Sequence, residues 1–210
     1  MNPIILLPLA LAGIGLYLLR PDAAAGPRPV SSFSRGMVVG DSHSEASWTF
    51  GGRMGEFLQG RGLQAKVVGN RGWGVGRYLG SPVLDRELGG FRPDLLVVAL
   101  GANDQVAPHQ VDDYRNRLRR FLEKAKAAGV QEVIWFGPSK SEGAQAHRMP
   151  TRVRVAETQR DFFRSHGVPG LTVRWIDTLG MTADLATRDG VHYRQPEYLE
   201  WSRRAQRSLT

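Results

Sequence analysis

The sequence predicts a three-layer α/β/α domain in which helices cover both faces of a doubly wound, parallel, five-stranded sheet. Three observations favour this fold class. Five short apolar runs occur along the chain without the apolar–polar alternation of strands that have one solvated face. Longer amphipathic segments separate several of these runs, as in βαβ architectures. The chain has 210 residues, 41% hydrophobic and 23% charged, which suits one globular domain with a sizeable core.

The five apolar runs define the predicted strands. The clearest is LLVVAL at residues 95–100. In chain order, strands are predicted over residues 37–39, 65–68, 95–100, 130–136 and 171–176. Because these runs are mainly apolar and lack alternation, we expect a sheet that is buried on both faces.

Four segments are predicted to be helices: residues 50–59, 111–128, 151–165 and 196–208. The second has the most regular pattern, since its apolar residues recur at helical spacing and Gly129 follows as a stop signal. The first is less regular because it contains three glycines. We find no internal repeat and no boundary within residues 35–210, which we interpret as a single domain.

The N-terminus carries a hydrophobic segment, residues 1–20, with seventeen uncharged positions between Pro3 and Leu19. As a helix it would be ~25 Å long, slightly short of a ~30 Å hydrocarbon core. It predicts either a membrane anchor or a signal peptide. A retained anchor, followed by arginines, favours a cytoplasmic domain, whereas cleavage near Ala23–Ala25 would export it. Residues 21–34, rich in Pro, Ala, Gly and Ser, predict a tether.

The charge and cysteine content narrow the function classes. Lysine and arginine exceed aspartate and glutamate by 28 to 20, a net charge of +8 that favours anionic surroundings. No nucleic-acid-binding motif accompanies the basic helix faces, so no nucleic-acid partner is expected. The absence of cysteine excludes a thiol nucleophile and a disulfide framework. No spacing typical of a metal site occurs, and no metal or other cofactor is expected.

Small polar and glycine residues follow three of the predicted strands. The first strand runs into GDSHS (residues 40–44), the second into GNRGWGVG (69–76) and the third into GAND (101–104). A fourth motif, DGVH at residues 189–192, precedes the last helix. Because chemistry in such sheets gathers at the carboxyl ends of the strands, we expect these motifs to meet in one site.

The four motifs together contain what acyl transfer requires. A serine hydroxyl such as that of Ser42 becomes a good nucleophile only when a base removes its proton, and His192 can be that base. Asp189, three positions earlier, can orient the imidazole and stabilise its charged form. The Ser42 N–H, a glycine N–H after the second strand and the Asn103 side-chain amide can bind the oxyanion.

These motifs, in this order and spacing, resemble the SGNH (GDSL-like) hydrolases over nearly all of residues 35–210. Gly40-Asp41-Ser42 is similar to the first block of the family, Gly101-x-Asn103-Asp104 to the third and Asp189-x-x-His192 to the last. The resemblance implies a flavodoxin-like three-layer sandwich with Ser42, Asp189 and His192 as catalytic triad. It also implies an oxyanion hole formed by Ser42, Asn103 and a second-block glycine.

Two positions depart from the family pattern. His43 stands where leucine is common, a variant that also occurs in family members acting on acetylated polysaccharides. The glycine of the second block could be Gly72, Gly74 or Gly76, of which we choose Gly74.

Alternative roles exist for each candidate. Ser42 could simply cap a helix, and His192 could be an ordinary surface histidine. His147, in a polar loop over residues 140–148 that could act as a lid, is the one serious rival base. Trp73 could stack on a sugar or pack in the core, and Arg71 and Arg77 could contact an anionic substrate or only solvent.

The prediction is therefore an SGNH-type serine esterase that hydrolyses small O-acyl esters, with acetyl on a cell-wall or capsular sugar as the first choice. Transfer of the acyl group to a polysaccharide hydroxyl is the catalytic alternative. The non-catalytic alternative is a carbohydrate-binding protein of the envelope or of a virion. If His192 is the base, activity should rise with pH through a transition near ~6.5.

Overall fold

The structure, a computed structural model, describes residues 28–209 and contains the five predicted strands. They are β1 (Arg35–Gly40), β2 (Gln64–Gly69), β3 (Leu95–Ala99), β4 (Glu132–Phe136) and β5 (Thr172–Ile176). All four pairings between neighbouring strands are parallel. The strand order is β2-β1-β3-β4-β5, which is the flavodoxin-like doubly wound order. The predicted fold class is confirmed.

The helices include all four predicted segments. Seven α-helices occur among the described residues: α1 (Phe50–Gly60), α2 (Val75–Leu79), α3 (Val83–Phe91), α4 (Val111–Ala127), α5 (Met149–Ser165), α6 (Thr178–Thr182) and α7 (Gln195–Arg207). Short 3-10 helices add Val30–Ser32, Ser42–Ser44, Pro108–Gln110 and Gly143–Arg148. Helices α2, α3 and α6 were not predicted.

Two hydrophobic cores lie on opposite faces of the sheet. Within β1, Met37 and Val39 point into the core formed with α2, α3, α4 and α5, whereas Val38 points into the core formed with α1 and α7. The central strands β3 and β4 are fully buried, as their mainly apolar sequences predict. The edge strands β2 and β5 are only partly buried.

The folded body begins before Arg35. Val30 and Phe33, which composition assigns to the tether, are buried in the core beside α1 and α7. The predicted hydrophobic segment over residues 1–20 and the first half of the tether, residues 21–27, lie outside the described residues. Between residues 28 and 209, no helix is both long enough and apolar enough to cross a membrane.

Candidate active site

The serine turn lies directly after β1, at the switch point of the sheet between β1 and β3. Asp41 ends the strand and accepts a hydrogen bond from the His43 N–H at 2.9 Å, which fixes the 3-10 turn Ser42–Ser44. Ser42 is half-buried, and Ser44 is buried beneath it. The turn therefore presents the Ser42 side chain at the carboxyl edge of the sheet, where ligands bind in this fold.

Glycines let the serine turn sit close to its neighbours. A Cβ on Gly69, at the end of β2, would lie 2.3 Å from the Ser44 carbonyl oxygen. A Cβ on Gly51, in the first turn of α1, would lie 2.3 Å from the Ser44 side chain. The glycines that make α1 irregular as a helical sequence thus permit this close packing.

The four motifs meet at one site, and His192 contacts Ser42. His192 Nε2 lies 2.9 Å from Ser42 Oγ, and His192 Nδ1 lies 2.9 Å from Asp189 Oδ2. In the tautomer that carries its hydrogen on Nδ1, the ring donates to Asp189 and accepts from the Ser42 hydroxyl. The three side chains form one continuous chain of hydrogen bonds across 150 positions of sequence.

The DGVH turn holds Asp189 as a carboxylate. Partial burial raises the pKa of Asp189, but hydrogen bonds from the His192 backbone, the His192 ring and the Val191 N–H more than reverse this effect, so the pKa lies well below its ordinary value. Gly190 has a φ of +87°, and a Cβ there would lie 2.5 Å from the Glu142 carbonyl oxygen. The turn therefore needs glycine at this position.

The loop after β4 supports the DGVH turn. The Glu142 carboxylate accepts hydrogen bonds from the Thr187 N–H at 2.6 Å and from its hydroxyl at 2.8 Å. A hydrogen bond from Lys140, followed by those from Thr187, lowers the pKa of Glu142 to about 2. His147, the rival base, is exposed on this loop and its Nδ1 bonds to the Ala144 carbonyl. The histidine in contact with Ser42 is His192.

Asn103 contacts both Asp41, the residue before Ser42, and the glycine motif. Asn103 Nδ2 donates to Asp41 Oδ2 at 2.8 Å and lies 3.4 Å from the Trp73 carbonyl oxygen. Gly74 caps α2, and a Cβ on it would lie 2.5 Å from Asp104 Oδ1. Within residues 28–209, the backbone N–H groups of Ser42 and Gly74 donate to no other residue.

Asp104 fixes the start of α2 by hydrogen bonds to its backbone. Its Oδ1 accepts from the Val75 N–H at 3.0 Å, and the Gly76 N–H also stabilises its charged form. Burial raises the pKa of Asp104 to about 6 despite these hydrogen bonds. Since the Gly76 amide is directed at Asp104 and Gly72 is exposed, Gly74 is the motif glycine that is both buried and unengaged.

His43 is a structural residue. Its side chain is buried, with Nδ1 2.7 Å from the Tyr198 hydroxyl and Nε2 3.3 Å from Ser139 Oγ. Burial, then repulsion from His192 in its protonated form and from Arg152, lower the pKa of His43 to about 3. His43 is therefore neutral at physiological pH, packed between Tyr198 and Trp201.

A cleft of about 190 Å³ opens beside Ser42 and His192. Its remaining lining residues come from the loop before α1, the glycine motif, the DGVH turn and α7: Glu45, Ala46, Trp48, Thr49, Arg71, Arg188 and Tyr198. Sequence reasoning missed Trp48 and Arg188 as cleft residues. Trp73, which it considered for sugar stacking, packs against the core and against Tyr78, with ring centroids 5.0 Å apart.

A larger groove of about 400 Å³ lies between α1 and the outer edge of β2, but none of the three hydrogen-bonded side chains lines it. Chemistry rather than size therefore identifies the functional cleft. Among residues 28–209, no group of three or more His, Asp or Glu side chains is arranged to hold a metal ion.

The fold is a three-layer α/β/α sandwich whose site joins a serine, a histidine and an aspartate by hydrogen bonds. Residues 38–196 match the GDSL-like Lipase/Acylhydrolase family, and the chain belongs to this family. Membership of this acylhydrolase family makes the protein a hydrolase.

Solved structures share this fold at low sequence identity. A lipase/acylhydrolase from Enterococcus faecalis is 19% identical, with a TM-score of 0.61 over 83% of this chain and 95% of the other. A mutant acetyl esterase with an acetate ion is 18% identical, with a TM-score of 0.64 over 84% and 96%. A carbohydrate esterase family 3 protein from Talaromyces cellulolyticus is 20% identical, with a TM-score of 0.60 over 84% and 96%. A search of curated proteins finds no match.

Proposed function

We propose that the protein is a serine esterase that removes small O-acyl groups, acetyl foremost, from carbohydrate through a covalent acyl-enzyme. The observation that carries this proposal is the hydrogen-bonded chain from Ser42 Oγ through His192 to Asp189, with both distances at 2.9 Å. An arrangement of this kind activates a hydroxyl that is otherwise a weak nucleophile.

The first half-reaction forms the acyl-enzyme. Ser42 Oγ attacks the ester carbonyl carbon while its proton passes to His192 Nε2, and Asp189 stabilises the resulting imidazolium. His192 then returns the proton to the departing alcohol oxygen as the carbon–oxygen bond breaks. A water molecule repeats the sequence in the second half-reaction, which releases the carboxylic acid and restores the Ser42 hydroxyl.

The oxyanion of each tetrahedral intermediate needs donors near Ser42. We assign this role to the Ser42 N–H, the Gly74 N–H and Asn103 Nδ2. The two backbone groups have no other partner among residues 28–209, and the bond from Asn103 to Asp41 holds its amide group beside the serine turn. Removal of one such donor typically costs ~3–4 kcal/mol of transition-state stabilisation.

Two features support a small acyl group on a sugar. The cleft holds about 190 Å³, and polar or aromatic side chains line most of it, which favours acetyl over a long aliphatic chain. Fold neighbours include the acetyl esterase and the carbohydrate esterase described above.

The test is hydrolysis of p-nitrophenyl acetate by the wild type and by Ser42→Ala, with Ser47→Ala as the matched control. Ser47 is exposed and does not line the cleft. We expect Ser42→Ala to lose activity and Ser47→Ala to retain it, and a fluorophosphonate probe to label the peptide that contains Ser42. Equal rates for the wild type and Ser42→Ala would refute the proposal.

Transfer to a second sugar shares the acyl-enzyme and remains the alternative. Quantifying free acetate against acetylated acceptor, in the presence of a polysaccharide with free hydroxyls, separates the two reactions. We expect acetate to predominate.

The location of the protein also stays a prediction, because it depends on residues 1–20. Fractionation of cells that express the full chain, with and without these residues, tests whether they provide membrane attachment or an export signal.

A further inference from the structure

Trp48 is an exposed aromatic residue at the cleft. It is one of only three large hydrophobic side chains that are exposed among residues 28–209, and 37% of its surface is accessible. Its ring packs edge-on against the Tyr198 ring, with centroids 5.7 Å apart, and its carbonyl accepts from Arg53 Nε at 3.1 Å. A supported aromatic surface of this kind is suited to packing against the apolar face of a sugar ring.

Two arginines also line the cleft. The Arg71 side chain is 79% exposed and its Nε donates to Glu45 Oε2 at 3.0 Å. The Arg188 side chain is 57% exposed and its Nη2 lies 3.3 Å from Asp189 Oδ2. Each guanidinium has five N–H donors, so both retain donors directed to solvent after these contacts.

The carboxylates near Arg71 and Arg188 do not occupy all of the N–H donors of the two guanidinium groups. Glu45 also accepts from the Arg71 N–H at 3.1 Å, so it positions the arginine through both its backbone and its side chain. Asp189 is engaged by the His192 ring and by two backbone N–H groups of its own turn. The lining therefore offers two partly free guanidinium forks, which match the geometry of carboxylate groups.

We propose that the preferred substrate is an anionic saccharide ester, whose carboxylates contact Arg71 and Arg188 while a sugar ring packs on Trp48. This inference rests on the proposed esterase function and extends it to the substrate class. The net charge of +8 favours approach of an acidic glycan. Exposed arginines add modest affinity individually, about twofold to fivefold each for well-formed carboxylate contacts.

The experiment compares two substrates that differ only in charge: an O-acetylated galacturonic acid trimer, and the same trimer with its carboxyl groups converted to carboxamides. Released acetate is measured. We expect the wild type to show about tenfold higher kcat/KM for the acidic trimer, and added salt to reduce this preference, because exposed charge interactions are screened.

Variants identify the residues responsible. Arg71→Gln and Arg188→Gln should each raise KM for the acidic trimer about threefold, and should raise it less for the carboxamide trimer. Arg77→Gln is the matched control, because Arg77 stacks over Trp73, 5.3 Å from the ring centroid, and does not line the cleft. Trp48→Ala should raise KM for both trimers equally. Turnover of p-nitrophenyl acetate by Arg188→Gln reports any disturbance of the neighbouring Asp189.

Equal kcat/KM for the two trimers would overturn the inference, as would arginine variants that affect both substrates alike. Calorimetric titration of both trimers into Ser42→Ala measures the charge preference without catalysis. If Ser42-dependent p-nitrophenyl acetate hydrolysis is observed without a charge preference, only the substrate class is wrong. If that hydrolysis does not depend on Ser42, the esterase proposal fails, and the titration alone decides whether the cleft selects acidic saccharides.

Discussion

Asp41→Asn is the most informative change outside the proposed triad, since Asp41 forms hydrogen bonds both within the serine turn and to Asn103, a proposed oxyanion donor. The Asp41 carboxylate is fully buried and accepts from the His43 N–H and from Asn103 Nδ2. Burial raises its pKa from 3.8 to about 7, although the His43 N–H and the charge of Arg152 lower it and Asp104 raises it further. The native state therefore holds a proton on Asp41 that the unfolded chain has already released at pH 5–6.

The sign of the pH effect follows from this difference. Because the pKa in the folded state exceeds that in the unfolded state, the stabilisation from protonated Asp41 is complete below pH 4 and is lost as the pH rises to about 7. Each pH unit in this window changes the free energy of unfolding by roughly 1.4 kcal/mol. Over about three units, the contribution of Asp41 reaches about 4 kcal/mol.

An asparagine at position 41 cannot titrate. Its single oxygen can accept from only one of the two donors, so we expect the variant to be about 1–3 kcal/mol less stable near pH 5. The deficit should shrink as pH rises to 7, because the wild type alone loses stability through this group. Urea unfolding of both proteins between pH 5 and pH 8 measures the difference, in which contributions common to both chains cancel. Asp112→Asn, which removes an exposed carboxylate on α4, controls for loss of charge. Stability curves that run parallel for Asp41→Asn and wild type would refute the reasoning.

Three further changes test the site and its support. Asp189→Asn should lower kcat by about 10³–10⁴-fold, because the amide no longer stabilises the imidazolium, whereas an effect below tenfold in a steady-state p-nitrophenyl acetate assay would contradict the proposed triad. Asn103→Ala should lower kcat by about 10²–10³-fold with little change in KM, and a change confined to KM would assign Asn103 to ground-state binding instead. Gly69→Ala should destabilise the fold and impair activity, since its Cβ would lie 2.3 Å from the Ser44 carbonyl oxygen. The control is Gly60→Ala, whose new Cβ has no atom within 4 Å, and which should change neither thermal unfolding nor turnover.

The sequence predicts the sheet because its buried strands have an unmistakable composition. Every residue of LLVVA in β3 is buried, so the unbroken apolar run in the sequence corresponds to a strand that is buried on both faces. The prediction weakens at the edges, where β2 contains Lys66 and exposed Val67. There one side of the strand has no neighbour, and composition alone cannot distinguish an edge strand from a central one.

The missed helices had weaker signals. Helix α3 does carry Leu84, Leu88 and Phe91 at helical spacing, but Gly89 and Gly90 near its end obscure the pattern. Helix α2 has only five residues, and its position depends on hydrogen bonds from its first turn to Asp104 on another loop. No local pattern contains that long-range contact.

The candidate site likewise contains some residues that the sequence predicts and others that it does not. Ser42, Asn103, Asp189 and His192 are predictable because each lies in a compact motif at the end of a strand or before a helix. Trp48 and Arg188 are not, because the cleft arises where separate loops converge and neither residue belongs to a motif. The tether boundary was also misplaced by composition, since Val30 and Phe33 find partners only in the folded core.

Burial, rather than proximity to Ser42 along the chain, distinguishes the histidine that is suited to act as a base from the one that is not. His43 is adjacent to Ser42 and its ring lies 5.4 Å from that of His192, yet both of its nitrogens face interior hydroxyl groups and its side chain is buried. A base must accept a proton at one moment and release it at the next, and the low pKa of His43 opposes the first step. The His192 side chain is 31% exposed, faces Ser42 through one nitrogen and a carboxylate through the other, and can pass its proton to an alcohol or receive it from water. Of the two histidines near Ser42, only the one 150 positions away makes the contacts that the proposed proton transfers require.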